Sequence, residues 1–172
     1  MKATGVVRRI DDLGRIVIPK EIRRNFKINE GDSLEIFVDS NGIILKKYSL
    51  LDDMVEVALD LVEIVRKVYG KNVIITDKEK VIAAVKELNK QYLDKNLTNS
   101  IKDKIEDRSE FFNQESSLII VDGESIFNYF LVPIIANSDS LGSVILIDDD
   151  INDEDKNLVR FITSILIKNI EQ

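Results

Sequence analysis

Lys20, Arg23, Arg24 and Lys27 stand at i, i+3, i+4 and i+7, a spacing that stacks four cations on one face of a 3.6-residue helix. Ile22 and Phe26, at i and i+4, take the opposite face. Like charges at this density repel one another, so the arrangement costs stability unless a polyanion lies opposite it. Arg8, Arg9 and Arg15 add three cations upstream, and residues 1–27 hold eight Lys and Arg against three Asp and Glu, a net of +5. The whole chain of 172 residues carries −7. A concentrated positive segment in an acidic chain points to nucleic acid, with an acidic protein partner as the competing reading.

Other chemistry is narrowed by what the chain lacks. It has no cysteine and no histidine, which excludes disulfides, thiolate metal sites and cysteine nucleophiles and removes the commonest general base. Asp148, Asp150 and Asn152 suit the first three ligands of a calcium loop, but the required glycine falls at Asp153 and the bidentate glutamate at Val159. An acidic helix entry is the better account of that run. No glycine-rich phosphate loop and no Ser-His-Asp set occurs, so we expect neither an enzyme nor a bound cofactor or metal. The apolar runs at Leu131 to Ala136 and Val144 to Ile147 are too short to span a membrane, and residues 1–20 carry charges where a signal peptide needs an apolar stretch. A cytoplasmic location is expected.

Two segments must position these groups. Residues 1–48 hold ten Lys and Arg against seven Asp and Glu, a net of +3, whereas residues 49–172 hold fourteen against twenty-four, a net of −10. In the first, Val6 to Ile10 and Arg15 to Ile18 read as strands around the turn Asp11-Asp12-Leu13-Gly14. Pro19 suits the first turn of a helix running to about Lys27, and Asn41-Gly42 reads as a type I′ turn joining strands at Leu34 to Val38 and Ile43 to Lys47. Fewer than 50 residues with few large side chains make a marginal core, so this segment is expected to complete it with a second copy.

From Leu51 to Tyr69 the period is helical, with one seam at Leu51, Val55, Ala58, Val62, Val65 and Tyr69 and another at Met54, Val57, Leu61, Ile64 and Val68. Two apolar seams call for two partners, one of them in a neighbouring helix of the same or another subunit. Strands are expected at Asn72 to Thr76, Val81 to Val85, Ser117 to Val121, Asn128 to Ala136 and Gly142 to Ile147, with residues 86–107 mostly helical. A final helix starts near Asn152, where Asp155 is placed for a reciprocal cap, and carries Leu158, Ile162, Ile165 and Ile170. The pattern is α+β.

The stretch from Gly5 to Arg24, followed by Glu30-Gly31-Asp32 and Leu34-Glu35-Ile36-Phe37-Val38, resembles the amino-terminal DNA-binding domain of the AbrB family of bacterial transition-state regulators. Met1-Lys-Ala-Thr-Gly5 and Lys46-Lys-Tyr-Ser49, followed by about 120 further residues, are similar to the sporulation regulators of that family. The resemblance implies a swapped-hairpin β-barrel built by two chains over residues 1–50, with double-stranded DNA contacted by Arg8, Arg15, Arg23 and Arg24 and its phosphates supported by Arg9 and Lys20. It also implies control of forespore gene expression during sporulation, both activating and repressing. Antitoxins share the fold but continue into a disordered toxin-binding tail. Residues 51–172 resemble a GAF domain in their order of strands and helices and in Val132-Pro133-Ile134 with Leu141-Gly142-Ser143-Val144. Two roles stay open for this domain: sensing a small molecule, or serving only as an oligomerisation scaffold, with a tetramer expected in either case. A rival for the whole chain is a small-molecule-binding signalling protein whose basic end docks an acidic partner.

Overall fold

The computed structural model describes residues 5–49, 51–114, 119–123 and 128–171. The chain divides into two compact units, Met1–Tyr48 and Ser49–Gln172.

In the first unit, helix α1 (Lys20–Asn25) is followed by an antiparallel hairpin of β1 (Leu34–Asp39) and β2 (Gly42–Lys47), paired from Leu34↔Lys47 to Asp39↔Gly42. Pro19 sits one position before the helix, and its carbonyl accepts the first helical bond from the Arg23 N–H at 2.9 Å. The helix is shorter than its periodicity suggests. Lys27 takes φ +51°, its N–H donates to the Arg24 carbonyl at 3.3 Å, and the Ile28 N–H donates to the Arg23 carbonyl at 2.8 Å. This double closure of the last turn is a Schellman stop, and it lifts Lys27 off the face shared by Lys20, Arg23 and Arg24.

The hairpin loop is Ser40-Asn41, one residue earlier than expected. Neither residue has a positive φ; the unusual backbone falls on Gly42 at φ +154°, so the turn is not type I′. Residues 6–10 and 15–18, expected as strands, form no ladder among the described residues. They flank a turn closed by Gly14 N–H to the Asp11 carbonyl at 3.0 Å and Asp11 N–H to the Arg15 carbonyl at 3.1 Å.

The second unit opens with a 3₁₀ turn (Asp52–Met54) leading into α2 (Val55–Tyr69), which ends on Gly70 at φ +70°. Then come β3 (Asn72–Asp77), β4 (Val81–Ala84), α3 (Asn89–Tyr92), α4 (Asn99–Glu106), β5 (Phe111–Asn113), β6 (Tyr129–Ala136), β7 (Asp139–Ile147) and α5 (Asp153–Ile170). The five strands form one antiparallel sheet in the order β4-β3-β7-β6-β5. Of the strand expected at residues 117–121, residues 117 and 118 lie outside the described residues, and Val121 makes a single bridge to Leu97.

Apolar side chains fill both faces of the sheet, which is why its strands read as continuous apolar runs and not as alternation. Val73, Ile75, Val144 and Leu146 pack with Ala58, Val62 and Val65 of α2 and Val159, Ile162 and Leu166 of α5. Ile74, Ile145 and Ile147 pack with Tyr92 of α3 and Ile101 and Ile105 of α4. The expected seam of Ala58, Val62 and Val65 is therefore core, while Val57, Ile64 and Val68 of the second seam are exposed, as is Tyr69. Among the described residues no helix is long and apolar enough to cross a membrane.

Polar ties fix the ends of these elements. Asn152 caps α5 by accepting from the Glu154 and Asp155 N–H groups at 2.8 and 3.0 Å, while Asp155 accepts from the Asn152 N–H at 3.0 Å. The same Asp155 and Asp148 accept from Lys71 Nζ at 3.1 and 2.9 Å. Burial opposes charge on Lys71, but these two carboxylates outweigh it and raise its pKa. The acidic run at 148–153 thus supplies a helix cap and an ion pair. The β6–β7 loop places Asn137 and Ser138 at φ +51° and +67°, which is the I′ geometry.

Gly142 pairs with Asp77 on one side and Ile134 on the other, and a Cβ built on it would overlap the Thr76 carbonyl. Thr76 is held there by its hydroxyl, 2.8 Å from the Ser143 hydroxyl. Gly142→Ala should therefore part β3 from β7 and destabilise the chain by about 2 kcal/mol or more. Urea unfolding checks this, and an unchanged midpoint would show that the sheet accepts the methyl group.

Candidate nucleic-acid interface

All six candidate DNA-binding residues lie between positions 8 and 24. Arg8 and Arg9 occupy the extended segment before the Asp11–Gly14 turn, Arg15 follows it, and Lys20, Arg23 and Arg24 share α1, whose only acid is Glu21. Arg8, Arg9, Arg15, Lys20 and Arg24 are exposed; Arg23 is half-buried, and its Nε has neither solvent nor a partner among the described residues. Arg8 donates from Nη1 to the Val7 carbonyl at 3.1 Å and lines a groove of about 600 Å³ together with Ile16, Ile18, Pro19, Ile22 and Phe26. Arg8 thus borders an open apolar surface.

Arg15 is held by Asp11, a residue that charge counting treats only as an offset. Asp11 Oδ1 accepts from the Leu13 and Arg15 N–H groups at 3.0 and 2.8 Å, and its Oδ2 accepts from Arg15 Nε at 2.8 Å. The Arg15 backbone N–H, then its guanidinium, lower the Asp11 pKa and, with the Leu13 N–H assisting, outweigh the opposing effect of burial. An Asp three residues before a Gly, as in Asp11-Asp12-Leu13-Gly14, is the signal for such a turn.

Lys47, at the end of β2, is engaged as well. Its Nζ lies 3.0 Å from Asp32 Oδ2 and 3.4 Å from the Lys27 carbonyl, while Asp32 accepts from the Asn29 N–H at 2.7 Å. These bonds tie the hairpin to the end of α1. Lys46 Nζ stands 4.8 Å from the centre of the Phe37 ring. Arg8, Arg9, Lys20 and Arg24 combine exposure with no acidic partner among the described residues. Among the described residues no group of three or more acidic side chains could hold a metal.

The second unit is a five-stranded antiparallel sheet with helices on both faces, and the first carries its cations on one short helix and its flank. Residues 53–171 match the family described as stage V sporulation protein T C-terminal, transcription factor, and residues 7–51 match the family described as antidote-toxin recognition MazE, bacterial antitoxin. The class is thereby fixed as a transcription regulator with a small amino-terminal recognition unit. The chain is 42% identical over 154 residues to stage V sporulation protein T of Bacillus subtilis (strain 168), covering 87% of this chain and 86% of that protein. The chain belongs to the stage V sporulation protein T family. Over 48 residues, 28% of the chain, it is 62% identical to transition state regulatory protein AbrB of the same organism, of which the match spans 50%. A methyl-accepting chemotaxis protein, residues 122 to 287, is 18% identical and covers 69% of this chain and 88% of its own at a TM-score of 0.54, a likeness of fold alone.

The turn geometry sets an expected titration. The folded pKa of Asp11 is depressed, so its contribution to the turn is present above the ordinary Asp value of about 3.9 and is lost as pH falls through the lower folded value. Carboxyl-carbon NMR should place the Asp11 midpoint below that ordinary value. In Arg15→Ala the midpoint should move only part of the way back, since the Arg15 and Leu13 N–H groups remain. An ordinary midpoint in the unaltered protein would mean that the turn is not formed in solution.

Proposed function

We propose that the chain binds duplex DNA through residues 1–50 as a dimer and that residues 51–172 join such dimers into a larger assembly. The observation that carries the first part is the collection of Arg8, Arg9, Arg15, Lys20, Arg23 and Arg24 on one small unit, in the segment that matches AbrB at 62% identity. Arg8, Arg15, Arg23 and Arg24 are the principal DNA-binding residues, and Arg9 and Lys20 support them at phosphates. Cations reaching phosphates from a symmetric scaffold give a strong salt dependence and a preference for DNA shape over strict sequence.

The dimer is a swapped-hairpin barrel. None of α1 is buried, and the groove beside Arg8 is the surface that a second copy fills. The likeness to stage V sporulation protein T supports a role in sporulation. That forespore genes are both activated and repressed is our reading from the family resemblance of the sequence. Among the described residues no feature favours an acidic protein partner over DNA.

The second unit, with helices on both faces of an antiparallel sheet, supports the GAF-like reading. Tyr92, Ile101, Ile105 and Tyr129, all at most 1% exposed, fill the space between the sheet and α3 and α4, which favours a scaffold over a ligand pocket among the described residues. Its exposed apolar residues Val57, Ile64 and Val68 on α2 are the assembly surface.

Two measurements test these parts separately. Replacing Arg8, Arg15, Arg23 and Arg24 by Ala should flatten the plot of log K against log salt by ~0.9 for each DNA phosphate that is no longer neutralised. An unchanged slope in a folded variant would place the DNA site elsewhere. Ile64→Glu with Val68→Glu should reduce the native mass to that of the dimer with little change in melting temperature, because both side chains are more than half exposed in the single chain. A retained mass would remove α2 from the assembly.

A further inference from the structure

We propose that Asp11 is a positioning residue for DNA binding: it holds the Arg15 guanidinium by Nε, so that an acid on the DNA-facing unit strengthens the complex. The inference rests on the reading that Arg15 contacts DNA. Net charge argues the opposite, since Asp11 subtracts from the only positive part of the chain.

Three features favour orientation over simple offset. The Asp11 carboxylate spends one oxygen on the Leu13 and Arg15 backbone N–H groups at 3.0 and 2.8 Å, which fixes the turn, and the other on Arg15 Nε at 2.8 Å. Nε is the inner donor of the fork, so the two terminal amino groups, with four N–H donors, stay available for a phosphate or a base edge. The Arg15 side chain is still 72% accessible while bound to Asp11.

A pair this exposed adds little to folding stability, because water screens it and two side chains lose freedom in forming it. What it does provide is a long arginine ordered before DNA arrives, so that less side-chain freedom is lost on binding. The backbone repeats the constraint: Asp11 N–H to the Arg15 carbonyl at 3.1 Å and Gly14 N–H to the Asp11 carbonyl at 3.0 Å close the same five residues. Gly14 stands at φ +75°, a conformation that glycine adopts without strain.

A double-mutant cycle on the full chain, read by fluorescence anisotropy with a labelled A·T-rich duplex, tests this. Asp11→Ala should weaken binding about threefold or more in the native background and leave it nearly unchanged in the Arg15→Ala background, as expected for two residues acting as one unit. Asp11→Asn keeps an oxygen for the two backbone N–H groups but not the ion pair. It should bind as weakly as Asp11→Ala while its circular dichroism and mass match those of the native protein. Asp11 variants that bind as tightly as the native protein or tighter would overturn the proposal, as would equal losses in both backgrounds. If Arg15→Ala itself leaves affinity unchanged, the assignment of Arg15 to DNA fails together with the role of Asp11. If Arg15→Ala weakens binding and Asp11→Ala does not, the DNA reading stands and only the positioning role is lost.

Discussion

Apolar surface that one chain leaves uncovered is the constraint on which the rest depends. Of the large hydrophobic side chains exposed among the described residues, fourteen lie between Val6 and Tyr48 and five in the longer second unit. Val7, Leu13, Val17, Val38 and Ile43 are each more than 70% exposed, and Pro19 is the one buried residue described in the first unit. Burial is the main favourable contribution to folding, so this unit by itself gains little from it, which is what the proposed dimer would supply. Under the proposed dimer, the arginines that meet DNA are mounted on a framework whose completion and whose dimerisation are one event. The second unit is built differently, with a sheet covered on both faces and its polar interior groups joined, as in Thr76 with Ser143 and in Ser140 with the Ile105 carbonyl.

Electrostatics follows the same division. Acids of the second unit are put to structural use: Asp155 serves the α5 cap and Lys71 together, and Glu110 makes a two-bond pair with Arg160 at 2.7 Å for each bond. In the first unit the cations on α1 lack such partners among the described residues, while Arg15 and Lys47 are held by Asp11 and Asp32. A positive surface that keeps some cations uncommitted and orders others suits a polyanion whose charges are regularly spaced.

Much of this was legible in the sequence where the signal is local. Asn152 and Asp155 announce the α5 cap three residues apart, and the 3–4 spacing of Ala58, Val62 and Val65 marks the buried face of α2. The fold departs from the local signals where these compete. Asn41-Gly42 has I′ composition, yet pairing of Asp39 with Gly42 makes Ser40-Asn41 the loop, and the I′ geometry falls on Asn137-Ser138, which lacks a glycine. Helical spacing carried Lys27 into α1 because periodicity does not register a left-handed residue. The three-residue edge strand β5 is too short for alternation to reveal. The apolar segments 6–10 and 15–18 have strand composition but find no ladder among the described residues, since composition records a preference for pairing and says nothing of which chain supplies the partner.

The pairing of an incomplete unit with a complete one has a consequence for affinity under the proposed assembly. Only residues 48–51 separate β2 from the 3₁₀ turn that begins the second unit. If second units associate through Val57, Ile64 and Val68, the first units of neighbouring chains are confined at an effective concentration of the order of millimolar, as short tethers give. Association that is weak for a free segment then becomes nearly complete. The same tether acts on DNA: once one pair of first units is bound, a second pair on the same assembly meets nearby duplex at raised concentration, with no further interaction required. A scaffold without a ligand can therefore set how strongly the arginines of the first unit engage DNA, through the stability of its own assembly and nothing else.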